Sequence, residues 1–235
     1  MRNSAVVLIL FSSGLLAQTV RVPFLGCAAE TAGEPLKAPK GSDKAVEINA
    51  SATQKLAYYE TVYGLGVLAP RGWHCFGRAD SSGISVFVSP GSISPIWTGT
   101  AGPVVQVDHL SGGTFGRFEV AGVIARVFPD HKAFVQNVIE LFDRPASDFT
   151  FRPYPDDKLI TQTDRLVQFQ TAPHSEGLGT MSRLKANDDP IDGVAMLEGK
   201  TPDLLMLRVR LPREQRDLTK AIIEDLLLRQ RRDAR

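Results

Sequence analysis

The segment from Tyr58 to Pro90 constrains the fold more than any other, because it sets two proline-stopped apolar runs on either side of Pro70-Arg71-Gly72-Trp73-His74-Cys75. Gly64-Leu65-Gly66-Val67-Leu68-Ala69 is short, apolar and halted by Pro70, which predicts a strand ending at a turn. Pro70 fixes its own φ, and Gly72 can take the positive φ that a tight turn needs. Trp73 then restarts the chain with a ring large enough to anchor on a core. In an extended segment Trp73 and Cys75 share one face and His74 points to the other. That alternation argues against a metal ion held jointly by His74 and Cys75. Beyond the turn signal Asp80-Ser81-Ser82-Gly83, Ile84-Ser85-Val86-Phe87-Val88 is rich in β-branched and aromatic residues and stops at Ser89-Pro90. Two strands about a polar turn, anchored by Trp73, are the expectation.

The run Ala69-Pro70-Arg71-Gly72-Trp73-His74-Cys75, followed by a Gly/Ser turn and Val86-Phe87-Val88-Ser89-Pro90, resembles a segment of an uncharacterised family of bacterial secreted proteins. Glu176-Gly177-Leu178-Gly179-Thr180 and Val209-Arg210-Leu211-Pro212 are similar to other parts of that family. The resemblance covers most of the chain after about residue 55 and implies export and one continuous domain; it lends no activity. A strand ending in Pro-x-Gly-Trp, then a sheet and a C-terminal helix, is also similar to the Mog1/PsbP-type α/β/α sandwich, a likeness of fold alone.

Met1-Arg2-Asn3-Ser4 and the apolar run Ala5 to Ala17 have the anatomy of a secretory leader: a positive start, about 13 apolar residues and small residues at the end. The run is too short for a membrane span, which needs about 20. The expected leader is residues 1–17, with alternative cuts as late as Ala28 or Ala29. Phe24-Leu25-Gly26-Cys27 also reads as a lipobox, which would place a lipid anchor on Cys27. With Cys27 retained, Cys27 and Cys75 can form an intramolecular disulfide in an oxidising compartment. With Cys27 removed or acylated, Cys75 is a lone buried thiol; that structural Cys75 is the expectation, and the disulfide is the alternative. Residues 18–53, rich in Pro, Gly, Lys and Glu between 30 and 42, read as a flexible tether.

The remainder predicts a single α+β domain over residues 54–230, mainly an antiparallel sheet with two central helices and a C-terminal helix, ending in a basic tail at 231–235. Gln54 to Thr61 reads as a short helix and Pro103 to Val107 as a buried strand. Helical spacing of Val120, Val123, Ile124 and Val127, and then of Phe134, Val138 and Leu141, predicts consecutive short helices broken at Pro129, the second capped by Asp130. Lys158–Thr163 with Leu166–Ala172, and Ile191–Leu197 with Leu204–Leu211, read as hairpins. Leu218, Ile222 and Leu226 form the buried stripe of a closing helix that starts near Pro212.

The chemistry is sparse. The patterns G-x-S-x-G, G-x-x-x-x-G-K-[ST] and H-E-x-x-H are absent, and Gly64-x-Gly66 and Gly177-x-Gly179 lack the third glycine of a dinucleotide site. His74, His109, His131 and His174 are scattered without i, i+3 or i, i+4 pairing, so neither a metal nor a cofactor is expected. The 27 basic and 26 acidic residues include only Arg2 in the leader, so the rest is balanced and offers no electrostatic basis for nucleic acid. Asp108-His109 and Asp130-His131 are the candidate catalytic pairs, since a carboxylate can orient an imidazole as general base. A binding module would instead use Arg71, Trp73 and His74 at the turn, Trp97 in the Ser/Pro/Gly loop, and the Gly-rich loop 173–190. The expected function is thus a secreted or periplasmic binding module for an envelope protein or small ligand. The alternatives are a small hydrolase-like enzyme and an envelope inhibitor or immunity protein.

Overall fold

The computed structural model describes residues 18–92 and 99–233. Thirteen strands and four α-helices follow one another as β1 (Gln18–Val22), β2 (Phe24–Thr31), β3 (Glu34–Leu36), β4 (Lys44–Ile48), α1 (Ala50–Thr53), β5 (Leu56–Thr61), β6 (Gly66–Pro70), β7 (His74–Asp80), β8 (Gly83–Ser89), β9 (Val104–Leu110), α2 (Arg117–Val127), α3 (Lys132–Leu141), β10 (Asp157–Gln162), β11 (Leu166–Thr171), β12 (Ile191–Glu198), β13 (Asp203–Arg210) and α4 (Thr219–Asp233). The fold is α+β. An eleven-stranded sheet runs β10-β11-β12-β13-β9-β8-β7-β2-β5-β6, with β3 added beside β2, and β1 pairs with β4 separately. Pairing is antiparallel except at β2, whose first half runs parallel to β5 and whose second half runs parallel to β7.

Alternation along the central strands decides what each face of the sheet buries. On β9, Val105 and Val107 point to one face while Val104, Gln106, Asp108 and Leu110 point to the other; on β13, Leu205, Leu207 and Val209 oppose Leu204, Met206, Arg208 and Arg210. The first face packs against α4 through Ile222 and Leu226 and against Leu218 in the 3₁₀ turn that leads into it, each contributing about 2 kcal/mol on burial, together with the β1/β4 pair and α1. The second packs against α2 and α3 through Val120, Val123, Ile124, Val127, Val135 and Val138. The helices expected on either side of Pro129, both late hairpins and the closing helix are present, as is the β7–β8 hairpin about Ser81-Ser82. Gly72 takes φ +85°, as the turn requires.

Several expectations fail for a physical reason. Residues 18–53 are no tether: β1 to β4 lie there, and Val22, Cys27, Val46 and Ile48 are part of the core. These strands are short, and Pro35 sits on β3, which pairs on one side only, where the missing N–H costs no ladder bond. Gln54 to Thr61 is no helix, since Leu56 to Thr61 form β5, buried on both faces, and such a run lacks a strand's alternation. Arg231 and Arg232 belong to α4 rather than to a tail. Asp130 lies in a 3₁₀ turn, and no side chain caps α3.

Cys27 and Cys75 are joined by a disulfide, their Cα atoms 5.3 Å apart. The bond occupies the thiol that a lipid anchor on Cys27 would use, in the middle of a strand. Closing a loop over a separation of 48 residues stabilises by about 4 kcal/mol on chain-entropy grounds. Among the described residues no helix is long and apolar enough to cross a membrane.

Candidate binding site

Gln106 and Asp108 face the α2 side of the sheet from an otherwise apolar strand, and Arg208 lies across from Gln106 on β13. All three are buried, with 2%, 4% and 3% exposure. Buried polar groups need partners, and these have them. Arg208 Nη1 donates to Asp108 Oδ2 at 2.5 Å, and Gln106 Nε2 donates to both oxygens of the same carboxylate at 2.9 and 2.8 Å. Ser182 Oγ donates to Gln106 Oε1 at 3.2 Å. Burial pulls the Arg208 guanidinium below its ordinary value, and Asp108 opposes that shift.

The loop above them is the Glu176-Gly177-Leu178-Gly179-Thr180 segment. Asp157 Oδ2 accepts from the Leu178 N–H at 2.8 Å, and Thr171 Oγ1 accepts from the Gly179 N–H at 2.9 Å while donating to Asp157 Oδ1 at 2.6 Å. A Cβ at Gly177 would meet Asp157 Oδ1 at 2.1 Å, and one at Gly179 would meet Ile191 Cβ at 2.7 Å, which accounts for both glycines. Held there, the loop presents its carbonyls inward: Leu178 O accepts from Arg208 Nε at 3.1 Å and Met181 O from Nη2 at 3.4 Å.

Over this floor lies a cavity of about 510 Å³, walled by β7, β8, the roof loop and α2. Among the described residues it is lined by three arginines (Arg78, Arg183 and Arg208), three carboxylates (Asp80, Asp108 and Glu119) and the hydroxyls of Ser82, Ser85, Thr180 and Ser182. Arg78 and Asp80 pair at 3.4 Å. Glu119, in the first turn of α2, stands at the mouth; partial burial, then the Asp108 charge, raises its carboxyl above its ordinary value. The cavity therefore has a fixed, neutralised floor and a titratable, solvent-reaching rim.

Of the sequence-derived candidates, Asp108 and the 173–190 loop reach it, the loop through Thr180 to Arg183; the others do not. Asp108 and His109 are adjacent on β9 and so point to opposite faces. His109 Nε2 lies 3.3 Å from Glu198 on the α4 face, and that hydrogen bond raises its pKa. Asp130 and His131 both border a separate cleft beside Gly112 and Phe134, without a hydrogen bond between them. Arg71 is tied to the carbonyls of Thr53 and Leu56 at 3.2 and 3.4 Å. Trp73 is half-buried, and its backbone N–H donates to Tyr59 Oη, which in turn donates to Pro70 O at 2.8 Å. Burial pushes the Tyr59 hydroxyl up to about 12, so it remains a neutral donor. His74 is exposed at the start of β7, and Trp97 lies outside the described residues. Sequence reasoning does not single out Gln106, Glu119 or Arg208; the signal for Gln106 and Arg208 is polar residues at i, i+2 in apolar strands, Gln106-x-Asp108 and Arg208-x-Arg210, whereas Glu119 on α2 carries none.

Among the described residues no group of three or more His, Cys, Asp and Glu could hold a metal ion. No protein-family model, curated protein or solved structure matches the chain.

Proposed function

We propose that this chain is an exported binding module, periplasmic or envelope-attached, which holds a small polar ligand in the cavity above Gln106, Asp108 and Arg208. The observation that carries the reading is the buried Arg208–Asp108 pair at 2.5 Å forming the floor of an open, polar cavity of about 510 Å³. Such a volume suits a single small molecule. Equal numbers of arginines and carboxylates in the lining favour a neutral or zwitterionic ligand rich in hydroxyl, amino or carboxyl groups, of the size of a sugar or amino acid.

Export is supported by the apolar run after Arg2, by the resemblance to secreted bacterial proteins, and by a disulfide suited to an oxidising compartment. Cleavage after Ala17 leaves β1 whole, whereas cleavage after Ala28 or Ala29 would remove β1 and Cys27 with it. The test is a thermal-shift panel of amino acids and sugars on the wild type and on Ser85→Leu, which fills the cavity while keeping its charges. A ligand that raises Tm only in the wild type supports the site. A panel without effect, or equal shifts in both proteins, refutes it.

A further inference from the structure

α4 carries two stripes. Ile222 and Leu226 turn into the core, while Glu224, Leu227, Leu228 and Arg231 line a groove between the helix and strands β11 and β12. The groove has a volume of about 880 Å³ and adjoins a second of about 540 Å³, which shares Leu227 and Arg231 with it. Over its fifteen residues α4 is about 22 Å long, enough for a second helix to lie along it. Leu227 and Leu228 are only half-buried there.

The charges on this stripe say what fits. Arg229 is engaged by Asp225 at 2.9 Å and by Tyr58, and Arg232 by Glu47 at 3.0 Å. Arg231 is exposed and has no hydrogen bond or ion pair among the described residues. Glu224 has only a loose, solvated contact with Lys220 at 3.7 Å. Glu224 and Arg231 stand seven residues apart on one face, symmetric about the Leu227-Leu228 bond. An antiparallel copy of α4 on a two-fold axis through that bond sets each Glu224 against the other copy's Arg231, with the leucines between them. This is the self-complementarity that an isologous interface requires.

We propose that α4 is the seam of a homodimer, closed by two reciprocal Glu224–Arg231 ion pairs around a leucine centre. The test is sedimentation equilibrium of the full disulfide-bonded chain, as wild type and as Glu224→Arg and Arg231→Glu, up to about 100 μM. Both substituted side chains are solvent-exposed, so circular dichroism and Tm should match the wild type. The wild type is expected to dimerise reversibly, and each single variant to dissociate at least about tenfold more readily, since like charges then meet twice. An equimolar mixture of the two variants is expected to recover dimers, because each supplies the charge that the other needs. A monomeric wild type, single variants that dimerise as well as wild type, or a mixture that stays monomeric would each overturn the proposal.

Discussion

Arg208 and Arg210 sit two residues apart on β13, face the same side of the sheet and are both buried, yet their surroundings differ. Arg208 meets a carboxylate, Asp108, and borders a cavity. Arg210 donates only to carbonyls, those of Thr100, Gly102 and Lys185, at 2.9, 2.9 and 2.5 Å, and stitches the segment before β9 to the segment after the roof loop. Both bond through all three guanidinium nitrogens, but the first has a carboxylate among its partners and lies beside open space. The second bonds to backbone carbonyls alone. On the proposed function, burial of a cation points to a binding site here only where a counter-charge and a cavity come with it.

The largest expected effect separates these two roles. Arg208→Ala leaves Asp108 charged and unpaired in the interior and should cost about 3–5 kcal/mol in chemical denaturation. Arg210→Ala strands carbonyls near the surface, where water can reach them, and should cost about 2–3 kcal/mol while the folded fraction keeps its ligand response. Equal costs accompanied by equal loss of binding would erase the distinction.

Smaller effects sharpen it at the rim. Glu119 has a folded pKa raised above its ordinary 4.5, so the stability it contributes is complete below that value and is lost as pH rises through the folded value. Glu119→Gln should therefore be as stable as wild type at neutral pH, or more so by less than about 1 kcal/mol, given its exposure. Its advantage should vanish in acid, and ligand affinity should fall about tenfold or more. His109, on the far face, shows the opposite chemistry with the same sign: protonated and paired with Glu198, it stabilises below its ordinary 6.5 and loses that contribution as pH rises through its raised folded value. His109→Ala should cost under about 1 kcal/mol at pH 6, less at pH 8, and leave binding untouched.

The architecture was legible wherever periodicity is local. Val120, Val123, Ile124 and Val127 announce α2, and both late hairpins follow from paired β-type runs about short turns. It was illegible where strands gain stability only from distant partners. β2 is held by parallel pairing to β5 and β7, far along the chain, and by Cys75, none of which its own composition reveals. The site was hidden for a related reason. Asp108 drew notice for its neighbour His109, but strand alternation separates adjacent residues and unites those two apart, so its real companion on β9 is Gln106. The third member, Arg208, lies a hundred residues away and is brought in by the register of β13 against β9.

The most direct measurement is the ligand-induced Tm shift of Asp108→Asn/Arg208→Met. This double substitution removes both buried charges together, keeps an acceptor for Gln106 and approximates the original volumes. It should fold within about 2 kcal/mol of wild type, a Tm difference of roughly 4–8 °C for a chain of this size, and should give no shift with the amino acid or sugar that stabilises the wild type. A ligand shift equal to that of the wild type would contradict the claim that the Arg208–Asp108 floor is the binding site.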